Sequence, residues 1–170
     1  MAKFDEIKIA RIRRRRLDEE QNLFSRMPAT YAASRKHGQQ ILQRCAGLSV
    51  LEWRTLWDLS EAGSLTIREL AEIQRADHSL LSRALPAMQQ KGLVSMRRDS
   101  TDGRQTIVDL TDEGIAAYER AAPAMKRRRE ALSELFTPEE LATFVEYLDR
   151  LEAFLRCPID EILQEEETVN

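Results

Sequence analysis

This 170-residue chain has no long apolar run, and a helix needs about 20 such residues to cross a bilayer. Basic residues open the chain, but no apolar core of a secretory leader follows them. Only two cysteines occur, Cys45 and Cys157, and they form no metal-binding spacing. A cytoplasmic, reducing location is the expectation. The two histidines, His37 and His78, lie far apart, and the chain has no glycine-rich phosphate loop and no nucleophile elbow. Catalysis, a cofactor and a resident metal are therefore not expected. Aromatic residues are also sparse, at 6%.

Charge is plentiful, at 32%, and apolar residues make up 42%, ample for the core of one domain with helical extensions. The net charge of −3 speaks mildly against a nucleic-acid partner, but its distribution does not. Residues 1–44 carry 11 basic and 5 acidic side chains, residues 65–104 carry 7 and 5, and residues 130–170 carry 2 and 12. Phosphate attraction follows the local potential, and the acid is concentrated at the far end.

The chain is organised around residues 64–111. Thr66 and Glu69 have the spacing of a capping box, and Ile67, Leu70, Ala71 and Ile73 follow at helical intervals. Arg75-Ala76-Asp77 is a short turn, with Asp77 or His78 able to cap the next helix. In that helix Leu81, Ala84, Leu85 and Met88 form one apolar stripe. Ser79, Ser82, Arg83, Pro86 and Gln90 lie opposite, a surface of small and hydrogen-bonding groups that suits a major groove. An ordinary solvated face would look similar. Gly92 suits the helix end. The segments 93–96 and 107–110 are expected to pair as a hairpin, with Asp102-Gly103 turning between them. Arg97, Arg98 and Arg104 surround its tip, as a phosphate-following or minor-groove probe requires. Asp102 is expected to pair with Arg104 or Arg98 and fix that guanidinium; the alternative is a solvated turn. The expected class is mainly α with a small β-hairpin wing: a winged helix-turn-helix DNA-binding domain plus a helical dimerisation region.

Leu65-Thr66, Glu69-Leu70-Ala71, Asp77, Ser79, Ser82-Arg83, the run 91–94, Arg98, Asp102-Gly103-Arg104 and the run 108–114 together resemble the MarR (multiple antibiotic resistance regulator) transcription factors. The resemblance implies a homodimeric DNA-binding regulator, usually a repressor and often released by a small ligand or an oxidant. Its partners would be double-stranded DNA with a pseudo-palindromic operator, a second copy of the chain and a small effector, with no membrane. The implied DNA-contact set is Thr66, His78, Ser79, Ser82, Arg83, Arg97, Arg98, Asp102 and Arg104. Pro86 departs from the pattern, because it lacks the N–H that would bond the Ser82 carbonyl. A kink there would move Gln89 and Gln90. The alternative functions are a dimeric helical adaptor that does not read DNA and an oxidant-sensing regulator acting through Cys45.

The remaining segments divide as follows. Residues 1–19 form a basic extension with arginine at 11 and 13–16. It reads either as an arm for a DNA backbone or a partner's acidic tail, or as a solvated helix whose arginines meet Asp18, Glu19 and Glu20. Residues 20–47 and 112–164 make the helical dimerisation region, 48–111 the winged domain and 165–170 an acidic tail. In the MarR family the first helices border a crevice, which makes Tyr31, Arg35, His37, Trp53 and Trp57 ligand candidates; the alternative is that the aromatics are core. Some relatives sense oxidants through a cysteine in the first helix, but a helix C-terminus disfavours a thiolate at Cys45. Thr111 can cap a helix beyond the wing, and 126–129 is a second basic run. Thr137-Pro138-Glu139-Glu140 starts the last long helix. Leu141, Phe144, Leu148, Leu151 and Leu155 then form an apolar seam for a symmetric dimer, or for packing on the chain's own first helix.

Overall fold

The computed structural model describes residues 2–100 and 102–163, with side chains from Glu6 onward. The acidic tail, 165–170, lies outside the described residues. Eleven elements follow in chain order. Three helices lead: α1 (Ala2–Gln21), α2 (Leu23–Ala46) and α3 (Val50–Ala62). The winged region follows as β1 (Leu65–Thr66), α4 (Ile67–Gln74), α5 (His78–Gln90), β2 (Val94–Arg98) and β3 (Thr106–Leu110). The chain then runs through α6 (Asp112–Leu135), α7 (Pro138–Leu155) and α8 (Ile159–Leu163).

Local chemistry sets most of these boundaries. The Asn22 side chain accepts the Phe24 N–H at 2.9 Å and separates α1 from α2. Ser49 and Glu52 close a capping box at the start of α3, a signal the sequence reading passed over. The expected boxes at Thr66–Glu69 and Thr137–Glu140 both form. Of the two candidates for capping α5, Asp77 does so, accepting the Ser79 N–H at 2.7 Å. Gly92, at φ 72°, takes the left-handed turn that releases the chain from α5 into β2. Pro86 does not end α5, which continues to Gln90.

The wing differs from expectation in one respect. Its sheet has three antiparallel strands in the order β1-β3-β2, not two. Leu65 pairs with Val108 and Thr66 with Ile107, so the residues before α4 bind the helix-turn-helix to the wing. Two residues are too few to show the period-2 alternation that marks a strand.

The core gathers Leu42, Leu56, Leu70, Leu81, Leu85, Met88, Val94 and Val108, all fully buried. The expected stripe of α5 thus faces inward, leaving the opposite side of the helix to solvent. Gly114 lets the start of α6 lie directly against the Leu93 backbone. Thr111 caps α6, accepting the Gly114 N–H at 3.0 Å and donating to the Gly92 carbonyl.

The chain separates into two compact units, Met1–Met125 and Lys126–Asn170, with the division inside α6. The second unit has no buried residue in α7 or α8. No helix among the described residues is long and apolar enough to cross a membrane.

Candidate nucleic-acid interface

The outer side of α5 presents Ser79 and Arg83 exposed and Ser82 half-buried. The Arg83 Nε donates to the Ser79 carbonyl at 2.9 Å, and the Ser82 hydroxyl donates to the same oxygen at 3.2 Å. These bonds lay the arginine along the helix, and each guanidinium N–H beyond Nε is a further donor in a planar fork. His78, the first residue of α5, is exposed. Asp77 stays ionised, because the Ser79 bonds hold its carboxyl below the usual range, with Arg83 and His78 adding to the effect. Thr66 caps α4. Its hydroxyl belongs to the Glu69 capping box and is half-buried.

Each wing arginine has its own setting. Arg97 on β2 reaches across the sheet to Asp109 on β3 at 3.3 Å, and Asp109 also accepts a bond from Ser64. Arg98 donates to the Gly103 carbonyl at 3.2 Å, which ties the end of β2 to the loop. The Arg104 guanidinium is exposed and makes no ion pair among the described residues.

Asp102 does not pair with either guanidinium, contrary to the sequence expectation. Its Oδ1 accepts the Arg104 backbone N–H at 3.0 Å and its Oδ2 accepts the Gln105 side-chain amide at 3.0 Å. The Asp102 N–H in turn donates to Asp99 at 3.3 Å. The carboxylate is thus used within the turn, the familiar role of an aspartate that bonds the backbone two residues on. It shapes the loop and leaves Arg104 projecting.

Behind α4 lies a polar network that sequence reasoning missed. Arg54 donates to the Gln74 carbonyl at 2.7 Å, and the Gln74 amide donates to Asp58 at 2.9 Å and Thr55 at 3.3 Å. Burial pushes the Asp58 carboxyl up, against the opposing pull of Gln74 and Arg54. The network joins the end of α4 to α3, so the helix-turn-helix is seated by hydrogen bonds as well as by leucines. No periodicity signals a glutamine that is polar in sequence and buried in place.

Of the ligand candidates, Trp53 and Trp57 are neighbours on α3. Trp53 is only 3% exposed and stacks on Tyr118 of α6 at 5.3 Å, with Trp57 6.1 Å away. Tyr31 is 68% exposed, and Arg35 and His37 also face outward. Trp53 is a core residue, and the alternative weighed for the aromatics holds for it. Cys45 is half-buried and Cys157 exposed. Along α7, Phe144, Leu148 and Leu155 are exposed while Leu141 and Leu151 are half-buried.

The MarR family model matches residues 48–106, which run from the residues leading into α3 to the first residue of β3. Over that stretch the chain is similar to the MarR family. Among curated relatives, it is 33% identical over 95 residues to the HTH-type transcriptional repressor IacR of Pseudomonas putida, covering 53% of this chain and 57% of that protein. It is 28% identical over 109 residues to the regulator YdgJ of Bacillus subtilis, covering 64% and 66%. The chain thus spans less than two thirds of either relative's length. Among solved structures, a MarR regulator from Streptomyces coelicolor in complex with DNA superimposes with a TM-score of 0.70 at 28% identity. That alignment covers 81% of this chain and 89% of the other. The likeness in fold therefore extends well beyond the matched winged region.

Proposed function

We propose that this protein is a cytoplasmic, homodimeric, sequence-specific DNA-binding regulator of transcription, acting as a repressor under the control of a small effector. One observation carries the reading. A recognition helix with a donor-rich outer side and a wing with an exposed Arg104 belong to one compact unit, seated on a common core. In this reading residues 79–83 enter a major groove, with His78 at the groove's edge. Arg98 and Arg104 of the wing follow the phosphates or the minor groove, and Arg97 supports them from the sheet. Thr66 and Asp102 shape the contacting elements. The Streptomyces relative was solved with DNA, which supports the same use of this surface.

A two-fold dimer, held by Leu141, Phe144, Leu148, Leu151 and Leu155, would read a pseudo-palindrome with half-sites about 10–10.5 base pairs apart. Control by an effector requires that the ligand prefer one spacing of the two recognition helices over the other. The test is fluorescence anisotropy with DNA selected from a random pool by the wild-type protein, titrated with salt. Tight binding with a steep salt slope, largely abolished in Arg104→Ala, is the expected result. A folded dimer that enriches no sequence at low salt would overturn the reading.

A further inference from the structure

The helix α1 lies outside the matched family region, and its side chains from Glu6 onward are exposed apart from the half-buried Glu19. Between Lys8 and Arg16 it carries six cations and no acid. At about 3.6 residues per turn, Arg11, Arg13, Arg14, Arg15 and Arg16 project to every side of the helix. Only Arg15 is engaged in an ion pair among the described residues, with Glu19 one turn on. The apolar side chains Ile7, Ile9, Ile12 and Leu17 are all exposed, and they are scattered round the helix instead of forming a stripe.

These features argue against a helical protein partner. Packing on another helix needs an apolar seam with charges at its flanks, as α7 has and α1 lacks. A helix with arginine on all sides fits a surface that offers acceptors over a broad angle. The phosphate walls of a duplex groove are such a surface, and each neutralised phosphate releases condensed counterions. Arginine suits it further, since its planar fork matches phosphate oxygens.

We propose that α1 is a second DNA-contacting element, gripping the phosphate backbone of duplex flanking the operator without reading its sequence. The proposal rests on the DNA-binding reading above. It predicts a footprint longer than the winged domains alone would cover, and a flank contribution to affinity that does not depend on flank sequence.

The experiment uses the full chain and its quadruple variant R11Q/R13Q/R14Q/R16Q, which changes only exposed side chains. Two duplexes carry the same selected operator, one trimmed to its conserved bases and one extended by random sequence on both sides. Each phosphate that the variant no longer neutralises takes about 0.9 off the slope of log K against log salt, so on the extended duplex its slope should be shallower by about 2 to 4 units. Its affinity there should fall about tenfold or more at low salt. On the trimmed duplex the two proteins should agree within about twofold, since the phosphates gripped by α1 are absent from it. Equal slopes on the extended duplex would overturn the proposal while leaving the winged-helix reading intact. Failure of the wild type to bind either duplex would sink the underlying reading itself. A variant that dissociates to monomer in sedimentation would also overturn the proposal, placing α1 instead against the acidic C-terminal helices of a second copy.

Discussion

The Lys91 ammonium, at the C-terminal end of α5, lies 2.6 Å from Oε1 of Glu52 on α3. Glu52 is buried and also closes the capping box of its own helix through the Ser49 N–H at 2.7 Å. Burial alone would push its carboxyl up, but the bonds from Lys91 and Ser49 outweigh that and hold it below the usual glutamate value. One carboxylate thus starts α3 and clamps the end of α5.

Lys91→Met should therefore destabilise the fold, by about 1–2 kcal/mol because the lysine itself is largely in solvent. A glutamate held low in the folded state contributes stability above its ordinary pKa of 4.5, and that contribution disappears as pH falls through the lowered value. Urea melts from pH 3 to pH 7 should show the variant's deficit widest at neutral pH and closing towards pH 3. A deficit independent of pH would rule out the ion pair as its cause.

The role of Asp102 can be separated from that of the arginines. Asp102→Asn keeps an oxygen for the Arg104 N–H and removes a negative charge, so DNA affinity should hold or improve. Asp102→Ala removes the acceptor, and loss of a bond worth about 1 kcal/mol should weaken binding about fivefold. If Asp102→Asn were as weak as Asp102→Ala, the charge of Asp102 would matter after all, contrary to the geometry of the turn.

Gly114 is irreplaceable for a steric reason. A Cβ there would collide with the Leu93 carbonyl, which is backbone and cannot swing aside. Gly114→Ala should cost about 1–3 kcal/mol, which for a chain of this size lowers Tm by several degrees. A thermal melt unchanged from wild type would mean that α6 can slide away from the β2 end without penalty.

The seam of the proposed dimer lies on α7. Phe144 is 58% exposed, with Leu148 and Leu155 beside it on the helix, far more apolar surface than one amphipathic helix leaves in water. Leu148→Glu with Leu151→Glu should give a monomer, or a chain that no longer folds, in sedimentation velocity, with DNA affinity falling as bivalent binding disappears. A stable dimer carrying both charges would place the interface elsewhere.

Much of the protein was legible in the sequence because it is decided over a few residues. The capping pairs Thr66–Glu69 and Thr137–Glu140, the Asp77 cap, the release at Gly92 and the inward stripe of Leu81, Leu85 and Met88 all follow from spacing within one or two helical turns. So does the family resemblance, which rests on the order of such short signals. Tertiary structure alone decided what depends on distant partners. Glu52 meets a lysine 39 positions away, Gln74 reaches Thr55 and Asp58 on another helix, and β1 exists only because β3 lies alongside it. Trp53, a ligand candidate by family analogy, becomes core because Tyr118 arrives from α6 to cover it. Charge pairing at the wing followed the same rule. The sequence placed Asp102 among arginines, but the nearest unsatisfied donors in the folded turn were a backbone N–H and an amide, and the carboxylate went to them.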